Sequence, residues 1–367
     1  MPMDERGRTR ARLVAALCVV LVSAPACFGD LDPVETRDRP PRAGPSPSDR
    51  APGSPPPGGR GGEGGRNCEN TSVGLTPLTD LGTGRYKGEA GGLYPGSGNE
   101  PPAEHLAAGT RLAESVQPLD AAGRPDPDGR YALLSIGMSN ARTEFGALQR
   151  FLANRPVGTD PHLVLVNGAQ GGKSAEFWID PAAPVWEEVD RALQADGVTP
   201  EQVQVVWLKN ADSGPGEWPQ YPQGLRDKFE RTVQILEDRY PNLRLVYLSS
   251  RTFGGYSGDS RRPGEGRNPE PLAYWTGFSV KQLIEDQIEG DPALRFEGAA
   301  NAPWLGWGPY LWADGVKARS DGLTWECWDF SGGLEIGGPG AMKVAQLLLD
   351  FFQTDPTARI WFLQNPA

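Results

Sequence analysis

Four apolar runs separated by amphipathic stretches occupy the middle of the chain, between residues 130 and 250. The runs predict strands over Arg130–Ile136, His162–Asn167, Val203–Leu208 and Leu243–Ser249. Between them, apolar residues recur at helical spacing, which predicts helices over Thr143–Asn154, Pro184–Ala195 and Leu225–Tyr240. Strands and helices that alternate in this way imply a parallel sheet covered on both faces by helices. The pattern therefore predicts a three-layer α/β fold.

The regions on either side predict further helices and two irregular segments. Helical patterning covers Pro102–Val116, Gly277–Glu289 and Ala341–Gln353. Residues 67–128 are otherwise rich in Gly, Pro and turn dipeptides, so we expect them to wrap the sheet domain rather than to form a domain of their own. Residues 250–340 are long, irregular and rich in aromatic side chains. Loops of this kind lie more often than not at the functional edge of an α/β sheet.

The first 66 residues do not resemble a folded domain. Residues 1–26 combine an arginine-rich start with an apolar run that ends in Ala-Pro-Ala, which predicts a signal peptide. Cys27 follows directly, which favours a lipoprotein lipidated at this cysteine, although Ala24 and Pro25 depart from the usual signal; plain secretion is the alternative. Residues 27–66 are dominated by Pro, Gly, Ser, Arg and Asp and predict a disordered tether to a domain over residues 67–367. Contact with a membrane is expected only through the anchor at Cys27.

The charge balance narrows the range of partners. Of 36 basic and 47 acidic residues, ten Arg and eight acidic residues lie in residues 1–66, which leaves 26 basic and 39 acidic groups and a net charge of −13 for the remainder. An acidic surface of this kind argues against a nucleic-acid partner. Two His and no clustered Cys argue against a transition-metal site, and no cofactor is expected. Cys68 and Cys327 could pair in an exported compartment or remain free thiols.

Ser139 is the candidate nucleophile. The first strand ends abruptly in Gly137-Met138-Ser139-Asn140 and is followed by helix-compatible sequence. A turn of this kind presents one hydroxyl at the carboxyl edge of a parallel sheet, where α/β proteins bind their ligands.

The ordered motifs resemble those of the SGNH (GDSL-like) hydrolases, in particular the carbohydrate-esterase, sialate O-acetylesterase-like branch. The serine block of that branch reads Gly-x-Ser-Asn, as at Gly137–Asn140. The second block, with a glycine that donates its amide to the oxyanion, is similar to Asn167–Ser174 and implies Gly172. The third block implies Asn210 as a side-chain donor, although the spacing also allows Lys209. The resemblance implies a flavodoxin-like sheet and hydrolysis of an O-acylated carbohydrate, with acetyl as the expected acyl group and the Ser139 amide as a further oxyanion donor.

The fourth block of the family departs from the pattern. Relatives carry Asp-x-x-His shortly before the last helix, and here the aligned positions hold Gly332 and Glu335. The chain has two histidines in all. His162 starts the second strand, at the edge opposite Ser139, and His105 lies in the wrapping segment. A serine hydroxyl needs a base to become nucleophilic near neutral pH.

Three interpretations follow from the missing histidine. In the first, the protein is a pseudoenzyme that binds carbohydrate or cell-envelope ligands and has weak or no activity. In the second, Glu335 or another carboxylate takes the serine proton, as carboxylates can when burial makes them more basic. In the third, the segment around residues 329–340 reflects a frameshift or sequencing error in a normal esterase gene.

Several side chains near this edge are candidates for secondary roles. Trp307 and Trp312 belong to an aromatic cluster that suits sugar stacking, with packing under a loop as the alternative. Arg251 ends the fourth strand and is a candidate for binding an anionic or hydroxyl-rich group, or for a salt bridge. Glu144 is expected to support the helix after Ser139. Asp321 and Asp329 are expected to accept hydrogen bonds from loop amides.

Overall fold

The computed structural model describes residues 66–154, 158–257 and 269–364. The predictions on the signal peptide, on Cys27 and on residues 27–65 of the tether lie outside the described residues. The helices are α1 Leu78–Leu81, α2 Ala103–Glu114, α3 Ser139–Asn154, α4 Pro184–Ala195, α5 Gln220–Arg239, α6 Leu272–Glu289, α7 Gly338–Thr354 and α8 Arg359–Phe362. The strands are β1 Arg85–Tyr86, β2 Glu89–Ala90, β3 Tyr131–Gly137, β4 Leu163–Asn167, β5 Val203–Lys209, β6 Leu245–Leu248, β7 Trp304–Trp307, β8 Phe330–Ser331 and β9 Glu335–Ile336.

A five-stranded sheet in the order β4-β3-β5-β6-β7 forms the centre of the fold. Every neighbouring pair is parallel. Strands β3 and β5 are buried along their whole length, because helices cover both faces of the sheet and leave no polar face to alternate with an apolar one. On one face α3 packs against α7, and on the other α5 packs against α6. The predicted three-layer α/β/α sandwich with a flavodoxin-like strand order is confirmed.

The strand order reverses next to β3, and this reversal sets the position of the candidate site. The chain leaves β3 in one direction to form β4 and then crosses to the other side to form β5, β6 and β7. Helices that leave β3 and β5 diverge, and a crevice opens at the carboxyl ends of these strands. Ser139, Gly172, Asn210 and Arg251 all follow the carboxyl ends of strands of this sheet.

The segment before β3 is bound to the sheet domain by long-range hydrogen bonds. Asp314 accepts hydrogen bonds from the amides of Val73 and Gly74, at 2.7 and 3.1 Å, and from the hydroxyl of Ser72 at 2.6 Å. Further along, the Gln204 side chain in β5 exchanges hydrogen bonds with the backbone of Gln117. The segment therefore wraps the domain, as predicted. Arg66, the last residue of the predicted tether, already bridges to Ser257.

One strand was missed in the region predicted to be irregular. Trp304–Trp307 forms β7, which pairs with β6 at the edge of the sheet. Its sequence, Trp-Leu-Gly-Trp, is short and uniformly apolar, so neither the alternation of a half-buried strand nor helical spacing marks it.

A small antiparallel hairpin, β8–β9, lies just before α7. Its turn contains Gly332 and Gly333, with φ of 67° and 78°. Close upstream, Cys327 forms a disulfide with Cys68, which resolves the alternative that the sequence left open. Among the described helices, none has both the length and the apolar character that a membrane crossing requires.

Candidate active site

The turn between β3 and α3 depends on Gly137. Its φ is 154°, and a Cβ at this position would collide with the carbonyl oxygen of Lys209 on the neighbouring strand. A side chain is therefore excluded where β3 and β5 approach each other most closely. The chain turns immediately into α3, and Ser139 is the first residue of that helix. The hydroxyl lies at the carboxyl edge of the sheet and is half-buried.

Ser139 is hydrogen-bonded to Glu335. The Ser139 Oγ donates to Glu335 Oε1 at 2.7 Å. Glu335 is the first residue of β9 and is likewise half-buried. The hairpin therefore places a carboxylate beside the hydroxyl, at the position where the motif pattern of the sequence analysis predicts a histidine. A contact of this length between a hydroxyl and a carboxylate has the geometry of a nucleophile and its base.

Asn140 holds the backbone on both sides of Glu335. Its Nδ2 donates to the carbonyl oxygen of Leu334 at 3.1 Å, and its Oδ1 accepts from the amide of Ile336 at 2.8 Å. The Asn140 side chain is buried, so these bonds are shielded from water. The residue after the candidate nucleophile thus positions the candidate base, a role that the sequence did not predict.

Ser139 and Glu335 line a cavity of about 610 Å³, a volume typical of small-ligand sites. Gly172 lies on its rim with φ of 72°. Within the part of the chain that the structure describes, the Gly172 amide has no hydrogen-bond acceptor. The Ser139 amide belongs to the first turn of α3, where backbone N–H groups have no partner inside the helix. Both amides are available for a negative charge that develops beside Ser139.

The opposite wall of the cavity is polar and carries one exposed aromatic ring. Ser174 and Ser213 both donate to Glu176 Oε1, at 2.7 and 3.2 Å. Beside them, Phe177 is 40% exposed, and the ammonium group of Lys173 lies 4.5 Å from its ring centre. These side chains were missed in the sequence. The Asn167–Ser174 block predicted a role for this loop, but the loop backbone rather than any local pattern decides which side chains face the cavity.

Arg251 forms part of the cavity floor. It is 2% exposed, and its Nη1 lies 3.0 Å from the Met138 sulfur. Its Nε is buried with no hydrogen-bond acceptor among the described residues. No described carboxylate oxygen lies within 4.0 Å of the Arg251 guanidinium, so the salt bridge that the sequence allowed is not formed. The guanidinium can therefore still donate hydrogen bonds to a ligand in the cavity.

A buried ion pair lies beneath the turn. The Lys209 Nζ donates to both carboxylate oxygens of Glu144, at 2.5 and 2.6 Å, and both side chains are almost fully buried. Burial raises the pKa of Glu144 and lowers that of Lys209, because the interior disfavours either charge, and the mutual attraction of the pair opposes both shifts. The Glu144–Lys209 ion pair links α3 to the carboxyl end of β5. The expectation that Glu144 supports the helix after Ser139 is confirmed.

The pair also bears on the two residues considered as a side-chain oxyanion donor. The ammonium group of Lys209 is directed to Glu144 and does not line the cavity, which argues against Lys209 as the donor. Asn210 is buried, its Nδ2 donates to the carbonyl oxygen of Lys173 at 3.3 Å, and it does not line the cavity. Its role at the oxyanion stays a prediction and would require this amide to turn toward Ser139.

Trp307 and Trp312 require a correction. They are 4% and 0% exposed and do not line the cavity. The Trp307 indole donates to the carbonyl oxygen of Leu93 at 2.7 Å, and the Trp312 indole donates to Glu270 at 2.8 Å. Both rings therefore pack beneath loops, which was the alternative to sugar stacking, because their faces and polar atoms already have protein partners.

Neither histidine is a partner of Ser139. His162 Nδ1 is hydrogen-bonded to the carbonyl oxygen of Gly129 at 2.9 Å, before the start of β3. His105 Nε2 is hydrogen-bonded to the carbonyl oxygen of Leu305 at 2.8 Å, and its ring stacks on Trp304. Asp321 and Asp329 accept from loop amides, as expected. Among the described residues, no three His, Cys, Asp or Glu side chains are grouped so as to hold a metal ion.

The fold and site define a three-layer α/β protein with a serine–carboxylate pair at the carboxyl edge of its sheet. Comparison with family models gives no match, and comparison with curated proteins gives none either. Among solved structures, the chain is similar to the periplasmic domain of a lipopolysaccharide acetyltransferase from Salmonella ser. Paratyphi A. It is 13% identical, with 67% of this chain and 95% of that chain covered, at a TM-score of 0.33. A likeness at this level carries no conclusion about function.

Proposed function

We propose that the protein is an exported serine esterase that removes an acyl group, in the first place acetyl, from the oxygen of a carbohydrate. Ser139 is the nucleophile and Glu335 is its base. The observation that carries the proposal is the 2.7 Å hydrogen bond between Ser139 Oγ and Glu335 Oε1 at the wall of the 610 Å³ cavity. This distance lies within the range that general-base activation of a serine hydroxyl by a carboxylate requires.

The reaction follows from the roles of these two groups. Glu335 accepts the proton from Ser139 Oγ as this oxygen forms a bond to the acyl carbon, and the carbonyl electron pair moves onto its oxygen. Collapse of the tetrahedral intermediate breaks the bond between the acyl carbon and the sugar oxygen, which takes the proton from Glu335. Water then attacks the acyl-serine by the same steps and releases the carboxylic acid. A carboxylate is a weaker base than imidazole, so we expect slow turnover.

The donors around Ser139 support stabilisation of the oxyanion. Among the residues that the structure describes, the amides of Ser139 and Gly172 have no acceptor that competes with a ligand, and the guanidinium of Arg251 adds a positive charge on the same cavity. Donors that are fixed before the reaction are worth about 3 kcal/mol each in related acyl-transfer sites. Asn210 would be a fourth donor if its side-chain Nδ2 left the carbonyl oxygen of Lys173 and turned toward Ser139.

The cavity wall supports a carbohydrate rather than a lipid as the alcohol portion. Ser174, Ser213 and Glu176 offer hydroxyl and carboxylate groups to sugar hydroxyls. Phe177 presents a partly exposed ring, and flat apolar faces of sugars pack on such rings. The aromatic contribution to substrate binding is thus assigned to Phe177 and no longer to Trp307 or Trp312.

The proposal of activity is tested with the isolated domain. A fluorophosphonate probe should label the wild-type protein, and a small acetyl ester should be hydrolysed. Ser139→Ala should abolish both. Ser331→Ala is the matched control, because Ser331 is an exposed serine of the adjoining hairpin. Absence of labelling together with an unchanged background rate in Ser139→Ala would refute the esterase.

A non-catalytic carbohydrate- or envelope-binding protein is the second candidate. It is favoured by one observation, namely that the described residues place no imidazole beside Ser139. In this case the Ser139→Ala and wild-type proteins should bind a carbohydrate equally while neither reacts with the probe.

Export remains part of the proposal and is supported by the Cys68–Cys327 disulfide, since such bonds persist mainly in oxidising compartments. Mass spectrometry of the mature N-terminus should find a diacylated or triacylated Cys27 in a lipoprotein. An unmodified N-terminus after residue 26 would instead indicate plain secretion.

A further inference from the structure

A second cavity starts at Ser139 and runs along the exposed side of α3. Its volume is about 560 Å³, and its lining includes Ser139, Arg142, Gly146, Gln149, Arg150 and Asn167. Ser139 also lines the first cavity, so the candidate nucleophile is where the two cavities meet. We call the second one the α3 groove. A ligand whose acyl group reaches Ser139 from the first cavity can extend from there into the α3 groove.

The α3 groove is basic although the chain as a whole is acidic. Arg142 and Arg150 are eight positions apart, about 12 Å along the helix, and lie on the same side of it. Both are exposed, and within the described ranges neither side chain has an ion pair or a hydrogen bond. No Asp or Glu lines this groove, whereas the chain has a net charge of −11. Exposed arginines that have no carboxylate partner among the described residues can bind an external anion.

The adjoining surface continues the same charge. A neighbouring cavity of about 720 Å³ shares Arg142 and Asn167 with the groove and adds Lys173 and Arg191. Its one acidic lining residue, Glu188, is already paired with Arg191 at 2.6 Å. The basic character therefore extends from Ser139 past Arg142 in both directions.

The Arg150 guanidinium and the Asn167 amide both lie beside Gly146. A Cβ at this position would lie 3.4 Å from the Arg150 Nη1 and 3.5 Å from the Asn167 Nδ2, which are ordinary contact distances. The Arg150 side chain therefore reaches back along the helix toward its first turn. Gln149 and Asn167, whose amide nitrogens are held by backbone carbonyls, form the polar side of the groove.

We propose that the α3 groove binds anionic sugar units, bearing carboxylate or phosphate groups, next to the unit that carries the acyl group. The proposal deepens the proposed function and rests on it for the acyl group alone. Arginine suits this role because its planar guanidinium donates two parallel hydrogen bonds to a carboxylate or phosphate. The substrate class is accordingly an acidic O-acylated glycan.

Binding is measured with Ser139→Ala, so that hydrolysis plays no part. The probes are oligogalacturonate for carboxylates, phosphorylated malto-oligosaccharide for phosphates, and unmodified malto-oligosaccharide as the neutral counterpart, each followed by calorimetry. Adding Arg142→Gln and Arg150→Gln should weaken binding of an anionic probe about tenfold and leave the neutral probe unaffected. Higher salt should weaken the same interaction. Arg231→Gln, which removes an exposed arginine of α5, is the matched control and should change nothing.

The outcomes separate this proposal from the esterase. Equal affinity for the neutral and both anionic probes, or unchanged affinity in the double arginine variant, overturns the anionic subsite whether or not the protein hydrolyses esters. Equal binding of heparin or duplex DNA also overturns it, because the groove would then attract any polyanion. Selective, arginine-dependent binding by a protein without esterase activity supports the subsite and refutes the proposed reaction. In an active protein, the double variant should raise KM for an acetylated anionic glycan and leave kcat for a small neutral ester unchanged.

Discussion

Ser139 and Glu335 are 196 positions apart in the chain, yet the serine hydroxyl donates to the glutamate carboxylate at 2.7 Å. The two residues are brought together by the β3–α3 turn and by the β8–β9 hairpin, which packs against α3. A hydroxyl–carboxylate pair can either transfer a proton during catalysis or serve only as a structural hydrogen bond. Variants of Glu335 distinguish these two roles.

Glu335→Gln removes the proton acceptor and keeps the size of the side chain. If Glu335 is the base, kcat for a small acetyl ester should fall about 10²- to 10⁴-fold, with KM little changed. Steady-state kinetics measures the change, and thermal unfolding confirms that the variant is folded. Glu114→Gln, at an exposed position of α2, is the control for loss of a carboxylate elsewhere. A Gln variant as active as the wild type would remove Glu335 from the mechanism.

Glu335→His places an imidazole at the same position. Activity should rise above that of the wild type near neutral pH, because an imidazole is the better base there. Adding Gly332→Asp supplies an orienting acid, although the φ of 67° at residue 332 makes this side chain costly. No gain from either variant would indicate that the cleft has lost more than its base. Resequencing codons 329–340 tests the separate hypothesis of a sequence error.

Asn140 should matter through Glu335. Asn140→Asp retains the acceptor for the Ile336 amide, loses the donor to the Leu334 carbonyl and places a second negative charge beside the hairpin. We expect fluorophosphonate labelling of Ser139 to slow at least about tenfold, while stability falls by about 1–3 kcal/mol. Labelling rates and urea unfolding give the two values. Equal labelling rates for the variant and the wild type would show that the hairpin holds Glu335 without Asn140.

The main fold could be predicted from the sequence, because its signals are local. Strands β3 to β6 are apolar runs separated by helical patterns, and the Gly137–Asn140 turn breaks the first of them sharply. Strand β7 was missed because four apolar residues at a sheet edge carry no period of their own. Helix α3 begins at Ser139, four residues before its predicted start, because helix caps are less distinct in sequence than helix interiors.

The site could be predicted only in part, because its contacts join distant segments. Comparison with the motif expected before the last helix led to Glu335, but the hydrogen bonds from Asn140 to residues 334 and 336 follow from the fold. Trp307 and Trp312 illustrate the opposite error. An aromatic cluster in a loop looks the same in sequence whether its rings face a ligand or pack below the loop, and burial decides between them.

The Glu144–Lys209 pair should behave as one unit in stability measurements. Lys209→Met leaves the buried Glu144 carboxylate without its hydrogen-bonded counter-charge and should destabilise the protein by about 3–5 kcal/mol. Adding Glu144→Leu removes the remaining charge and should restore most of the loss. Urea unfolding of the wild type, both single variants and the double variant completes the cycle. Additive effects of the two substitutions would contradict the pairing.

Glu270 gives the protein a pH-dependent stability. Its carboxylate accepts hydrogen bonds from the Gly254 amide at 2.7 Å, the Trp312 indole at 2.8 Å and the Tyr274 amide at 3.1 Å. Burial nevertheless outweighs these donors and raises the pKa of Glu270 from 4.5 to about 7. Between these two values the folded protein holds a proton that the unfolded chain has lost.

Stability should therefore fall as the pH rises through this window, by up to about 3 kcal/mol for this group. The contribution is fully present below pH 4.5 and is lost once the pH passes about 7. Urea unfolding at pH 5 and pH 8 measures it, with Glu270→Gln as the variant that cannot titrate and Glu114→Gln as the control for charge removal at the surface. Since pH 5 already lies inside this window, the stability difference between the wild type and Glu270→Gln should shift by most of this amount in favour of the variant at pH 8. An identical difference at both pH values would mean that Glu270 is ionised throughout and that its three donors outweigh its burial.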